Sequence, residues 1–424
     1  MKHPSSPARS SLRAAFWTAL LLCLPHAARA ATATVDCTGA TPGAFTSINS
    51  ALLTLDNVGP HAVNVTGPCT ESVNIQQRDR LTIQSVPPNT AVINAPAPGA
   101  NVLIVGGSHN ITLRGLVLRG GANGLQITRG STVSVQGVSM TENTGNGLRV
   151  DTGSVVSLSG APPFPPVVIS DNGGAGISAD ASVLSVNGGL TVEDNEGLAM
   201  TVVGGRLTVN GGAFENVFRD NGGGINLDGA VSNFSGQNSI QNNGSSGVQV
   251  TGGRASFSGS VVADVPRVTT IEGHTLGVNV AAAGSANFSG PNRIRNNGGG
   301  NPDADFRGGG RIGTVSRVQF DGANEITGNT GYGVFLDFNG ALAMNGAVVT
   351  NNTEGGVRVA RSSVGGFNSG GTYSGNGGAQ ISCDDTSLVF GPGLAGLGNN
   401  AIACKNIEHA QGPPRPSVPK EQDE

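Results

Sequence analysis

Residues 238–259, NSIQNNGSSGVQVTGGRASFSG, contain three short runs of alternating character: NSIQNN, GVQV and ASFSG. Asn-Gly, Ser-Gly and Gly-Gly pairs separate them. Alternation with period two marks strands with one buried face. Asn and Gly mark the turns, because they enter left-handed backbone at low steric cost. Strands this short cannot bury a face alone, so the unit needs like neighbours stacked against it.

Those neighbours are present on both sides. FRDN, GINL and SNFSG repeat the scheme upstream, and EITGN–GVFL–LAMNG and VVTNN–GVRV–VGGF repeat it downstream. The third runs of successive units are LTI, ITL, VSV, VSL, LSV, LTV, SNF, ASF, ANF, VQF, LAM, GGF and LVF. They end at Ile83, Leu113, Val135, Leu158, Val186, Val209, Phe234, Phe257, Phe288, Phe320, Met344, Phe367 and Phe390. Most intervals are 22 to 25 residues, and inserted loops account for the four longer ones. The pattern predicts an all-β solenoid of about thirteen coils with three short strands per coil. At a strand spacing of about 4.8 Å this is a rod roughly 60 Å long.

Composition agrees. Of 424 residues 68 are Gly, 12% are charged and 4% aromatic. That much Gly excludes a helical protein, and so little charge with so much Val, Ile and Leu excludes a disordered one. Net charge is −4 with no basic run, which leaves a nucleic-acid partner no electrostatic footprint.

Residues 1–30 read as a signal peptide. Lys2, Arg9 and Arg13 precede an apolar core from Ala14 to Leu24, and Ala28-Arg29-Ala30 is a small-residue cleavage site. About eleven apolar residues are too few to span a bilayer, and no later segment is longer. The expectation is a secreted chain, whether extracellular, periplasmic or on a cell surface. Beyond the signal remain Cys37, Cys69, Cys383 and Cys404, an even number that suggests two disulfides in an exported chain. Ile381-Ser382-Cys383 and Ile402-Ala403-Cys404 share one register on consecutive coils, within reach of a bond. Cys37 and Cys69 flank a segment, Thr46 to Asp56, that places Ile48, Ala51, Leu52 and Leu55 on one helical face. The expected organisation is an N-terminal cap with this helix over 31–75, the solenoid over 76–408 and a disordered tail over 409–424.

An Asn recurs after the first strand of the coil, as Asn143, Asn172, Asn195, Asn221, Asn243, Asn297, Asn329, Asn352 and Asn376. Stacked Asn side chains can hydrogen-bond along the axis. This resembles the asparagine ladder of the pectate-lyase-like superfamily of right-handed parallel β-helices, and the resemblance covers residues 35 to about 408. It implies a right-handed parallel β-helix and leaves activity open, since the fold hosts many.

On the second strand the polar middle residues should form an outward row: Gln126, Arg149, Ser178, Thr201, Asn226, Gln249, Asn279, Phe335, Arg358 and Ser382. Glu142, Asp171, Asp194 and Asp220 fall on the preceding turn, and Asp151, Asp180 and Asp228 on the following one. Carboxylates about 5 Å apart repel unless a cation intervenes, so Asp171, Asp194 and Asp220 are candidate ligands for Ca²⁺. Ordinary turn chemistry is the other reading of the same residues. The resemblance implies an arginine base beside such a cluster, and Arg149 is the candidate. Glu142, Asp180, Asn226, Asp228 and Gln249 are candidate ligand-binding residues. The superfamily's hydrolytic motifs are incomplete: Arg293-Ile294-Arg295 has no matching His, and Asp384-Asp385 falls in the last coils.

His61, His109, His274 and His409 show no ligand spacing and read as surface residues. Two stretches read as insertions: VVADVPRVTTIEGH, with Asp264, Arg267, Glu272 and His274, and GGGNPDADFRGGGR, with Asp303, Asp305, Arg307 and Arg311. Trp17 lies in the signal, and Tyr332 and Tyr373 are the only tyrosines, so an uncharged glycan finds few aromatic platforms. An acidic polysaccharide or cell-surface glycan held through Ca²⁺ or arginine fits better. Two functions follow: a non-catalytic surface, adhesion or ligand-binding scaffold, or a Ca²⁺-dependent lyase acting on an acidic glycan.

Overall fold

The structure, a computed structural model, describes residues 30–408 except 161, 163, 263–264, 299–306, 396 and 398–400. Nearly all of the expected signal peptide, the tail, Asp264, Asp303, Asp305 and His409 lie outside the described residues.

Among the described residues three parallel sheets have 16, 14 and 13 strands. The chain visits them in rotation. Asn238–Gln241 lies in the 13-stranded sheet, Ser246–Thr251 in the 14-stranded sheet and Arg254–Ser258 in the 16-stranded sheet, and the next coil repeats the circuit. The fold is a right-handed parallel β-helix. Among the described strands, an antiparallel hairpin of Ser260–Val262 and Val265–Arg267 stands outside the three sheets.

The expected interior file is present. Ile83, Leu113, Val135, Leu158, Val186, Val209, Phe234, Phe257, Phe288, Phe320, Met344 and Phe367 pair in unbroken register on the 16-stranded sheet. The rings of Phe234, Phe257, Phe288 and Phe320 stack at centroid separations of 4.8, 4.5 and 4.9 Å. Phe390 departs from the expectation. Its strand is offset so that Val389 is the buried residue and Phe390 pairs with Gly366. The ring lies where Gly366 has no side chain: a Cβ there would come 3.0 Å from it.

The Asn column is also present, and it is continuous. Each Asn Oδ1 accepts both the backbone amide and the side-chain amide of the Asn one coil earlier, from Asn143 through Asn172, Asn195 and Asn221 to Asn243, and again from Asn297 through Asn329 and Asn352 to Asn376. The gap between the two runs is filled by His274. Its Nδ1 accepts the amide of Asn243 at 3.2 Å, and its own amide donates to Asn297 Oδ1 at 3.1 Å. His274 is therefore a buried rung, and its expected surface position is corrected. His61 is buried too, inside the 16-stranded sheet beside Leu81. His109 is exposed, as expected.

A second column escaped the sequence reading. Ser108, Ser131, Ser154, Ser182, Ser316, Ser363 and Ser387 are buried between the 14- and 16-stranded sheets. The hydroxyls of Ser108, Ser131, Ser363 and Ser387 accept amides from the preceding coil, as in Arg78 to Ser108 and Ser363 to Ser387. Both columns satisfy turn amides that would otherwise be buried without partners.

The helix is Ile48–Leu53, shorter than expected, and buries Ile48, Ala51 and Leu52. Its start is fixed by Glu71, whose carboxylate accepts the amides of Ile48 and Asn49 at 2.7 and 3.1 Å. Strands Ala31–Asp36 and Val58–Thr66 on either side already belong to the 16-stranded sheet. Both disulfides are formed: Cys37–Cys69 at a Cα separation of 5.1 Å and Cys383–Cys404 at 4.8 Å. No described helix is long and apolar enough to cross a membrane.

Candidate functional site

The outward row of the 14-stranded sheet is in register as expected from Gln126 to Ser382. It gains one member: Arg311, placed by sequence in a loop, lies in strand Gly308–Ile312 between Asn279 and Phe335. Likewise Thr269–Glu272 is a regular strand of the 13-stranded sheet rather than inserted loop. Asn226 and Gln249 come together as expected. With Leu198, Ser245 and Ser246 they line a cavity of about 170 Å³. Asp180 and Asp228 end their strands and are exposed, two coils apart.

Arg149 is held away from the acidic line. Its Nε donates to both carboxylate oxygens of Asp151 at 3.1 Å, toward the C-terminal end of its strand, whereas Glu142 and Asp171 precede their strands. Asp151 also accepts from Gln126 at 3.3 Å.

The acidic line itself occupies one turn position. Glu142, Asp171, Asp194 and Asp220 have φ of 55°, 56°, 54° and 56°, and Asn242, Asn296 and Asn351 hold the equivalent left-handed position farther along. Among residues other than Gly, Asp and Asn tolerate that conformation best. Glu142 pairs with Arg119 at 2.6 Å. Arg219 donates to Glu193 at 2.7 Å and lies 3.9 Å from Asp220. The Asp194 carboxyl is pushed above its ordinary pKa, first by burial and then by Glu193, Asp220 and Asp171, with Arg219 opposing. Among the described residues, the one group of three potential ligands drawn within 4.8 Å of one another is Cys37, Cys69 and Glu71, whose cysteines form a disulfide.

The 16-stranded sheet carries what sequence reasoning missed. Arg206, Arg254 and Arg317 lie in one cross-strand row with Val231 and Ser285 between them. All three are exposed, and none has an ion pair among the described residues. Arg254, Ser285 and Arg317, with Ser256, Asn287 and Gln319, line an open cavity of about 400 Å³. The neighbouring column, Thr208, Asn233, Ser256, Asn287 and Gln319, offers a hydroxyl or amide on every coil. Asn287 Oδ1 is buried without a partner. The signal was present in the sequence: each Arg stands three residues before the file residue of its coil, ahead of Val209, Phe257 and Phe320.

The chain matches no family model and no curated protein. It is similar in fold to solved β-helix structures. A mannuronan C-5 epimerase A-module of Azotobacter vinelandii is 16% identical over 82% of this chain and 91% of its own, with a TM-score of 0.45. An alginate lyase from Paenibacillus sp. is 13% identical over 75% of this chain and 94% of its own, with a TM-score of 0.33. The pectate lyase Pel9A is 12% identical over 90% of this chain and 78% of its own, with a TM-score of 0.25.

Proposed function

We propose that the protein is an exported, non-catalytic β-helix scaffold that holds an acidic polysaccharide, free or on a cell surface, along the outer face of its 16-stranded sheet. The observation that carries this reading is the cavity between Arg254 and Arg317, floored by Ser285, Ser256 and Asn287. Unpaired guanidiniums supply charge-assisted donors to carboxylate or sulfate groups. The hydroxyl and amide column beside them suits sugar hydroxyls, and binding without aromatic platforms favours a charged ligand. The disulfides and the expected signal peptide support export.

Two observations support a scaffold without chemistry. Arg149, the candidate base, is neutralised by Asp151. The acidic line fills turn positions that Asn fills elsewhere. The test is affinity electrophoresis through gels containing acidic or neutral polysaccharide. Retardation by the acidic polymer alone, lost in Arg254→Gln/Arg317→Gln, is expected; equal mobility in every gel contradicts the reading.

One observation favours a Ca²⁺-dependent lyase as the second reading: desolvation, then the carboxylates of Glu193, Asp220 and Asp171, hold the pKa of Asp194 above its ordinary value, and a divalent cation would relieve the repulsive part. Growth of ultraviolet absorbance from an unsaturated product, in the presence of Ca²⁺ and lost in Asp194→Ala, would establish it over the scaffold.

A further inference from the structure

The arginine row has a period, and the period sets what can lie along it. Successive strands of the 16-stranded sheet carry Arg206, Val231, Arg254, Ser285, Arg317 and Ala341 at one register position. Cationic and neutral residues alternate without exception across these six coils. With strands about 4.8 Å apart, the charges recur roughly every 10 Å, and Arg206 to Arg317 spans roughly 19 Å.

A hexopyranose in an extended glycan advances by nearly one strand spacing per residue, so sugar and coil run almost in step. In a glycan whose sugars all present the same edge to the sheet, an ionised group on every sugar would place charges over Val231 and Ser285 as well as over the arginines. Val231 is exposed and apolar, and Ser285 is uncharged, so an anion there gives up water without an ionic partner. By contrast, the hydroxyl and amide column is uninterrupted from Thr208 to Gln319, so an uncharged sugar finds a partner on each of these five coils, whether or not an arginine stands beside it.

We infer that the row selects an alternating acidic polysaccharide, one in which an anionic sugar and an uncharged sugar take turns along the chain. This rests on the proposed glycan-binding face and specifies its ligand class. Every second sugar then sets its carboxylate or sulfate against Arg206, Arg254 or Arg317, and the sugars between lie over Val231 and Ser285. The 14-stranded sheet offers no such period: its charged row members, Arg149, Arg311 and Arg358, are irregularly spaced.

The test is calorimetric titration with two size-matched oligosaccharides of about eight sugars, longer than the ~19 Å row, one with an acid on every second sugar and one with an acid on every sugar. The wild-type protein is expected to bind the alternating oligomer roughly tenfold more tightly, a difference of one decade in Kd. Filling the gaps, in Val231→Arg/Ser285→Arg, is expected to erase or reverse that preference; both positions are outward, and circular dichroism verifies the fold. Equal affinities that the filled variant leaves unchanged, with binding still lost in Arg254→Gln/Arg317→Gln, would overturn the alternation while sparing the binding face. Failure of both oligomers to bind the wild-type protein would overturn the binding face itself.

Discussion

The backbone amide of Asn243 donates to Nδ1 of His274 at 3.2 Å, where the rungs on either side present an amide oxygen. His274 Nε2 lies 3.0 Å from the carbonyl of Ile240, so the neutral Nε2–H tautomer fits the site. Burial holds its pKa below the ordinary value, against the raising influence of the Ile240 and Asn243 backbone and of Glu272. A base with a lowered native pKa binds fewer protons folded than unfolded, so stability is full at neutral pH and falls as pH drops below about 6.5. His274→Asn should restore an amide rung and flatten the thermal-denaturation profile as pH falls below about 6.5. An unchanged acid dependence would remove His274 as its source.

Asp194 gives the opposite sign. Folding raises its pKa, so the native state binds protons more readily, and the destabilisation is present at neutral pH and relieved as pH falls through the folded value toward about 3.9. Asp194→Asn should stabilise the protein slightly at pH 7, by less than about 1 kcal/mol because the site is exposed and screened, read as a small rise in melting temperature. The gain should vanish near pH 3. If Ca²⁺ is held by Asp171, Asp194 and Asp220, added CaCl₂ should raise the melting temperature of the wild-type protein and leave Asp194→Asn unmoved. No Ca²⁺ effect on either protein would eliminate the ion site.

The phenylalanine stack sets the local stability of the middle coils. Phe257 is fully buried between Phe234 and Phe288. Truncation in Phe257→Ala should cost about 3–5 kcal/mol, concentrated in neighbouring coils because a solenoid is coupled mainly between neighbours. Hydrogen exchange should accelerate in residues 231–289 and remain slow near Ile83. Uniform acceleration from end to end would contradict nearest-neighbour coupling.

The last coils depend on a covalent tie. Cys383 and Cys404 lie 21 residues apart in sequence, on strands paired through Ile381–Ile402 and Ser382–Ala403. Closing such a loop contributes on the order of 3 kcal/mol. Cys383→Ser/Cys404→Ser should hasten exchange in residues 381–408 while leaving the Asn column before Asn297 protected. Unaltered protection at the C-terminal end would show that packing alone holds these coils.

The fold was legible in the sequence because one residue type repeats at each special position. Phe234, Phe257 and Phe288 mark the interior, and Asn143 to Asn376 mark one turn. The reading failed where a different residue does the same job. His274 fills an Asn position through a ring nitrogen, and Gly310-Arg311 continues a strand whose glycines suggested a loop. Phe390 slipped because Gly366 opens space that a residue count does not reveal. The arginine row was missed for another reason: Arg206, Arg254 and Arg317 are each unremarkable alone, and they form a site only once register places them on alternate strands of one face.

Thiol-labelling protection tests the binding face most directly. Ser256→Cys places a reporter in the lining of the cavity on the 16-stranded sheet, and Ser178→Cys places a control on the 14-stranded sheet. Saturating acidic polysaccharide should slow labelling at position 256 and leave position 178 unaffected. Protection at 178 alone, or at neither position, would contradict the account.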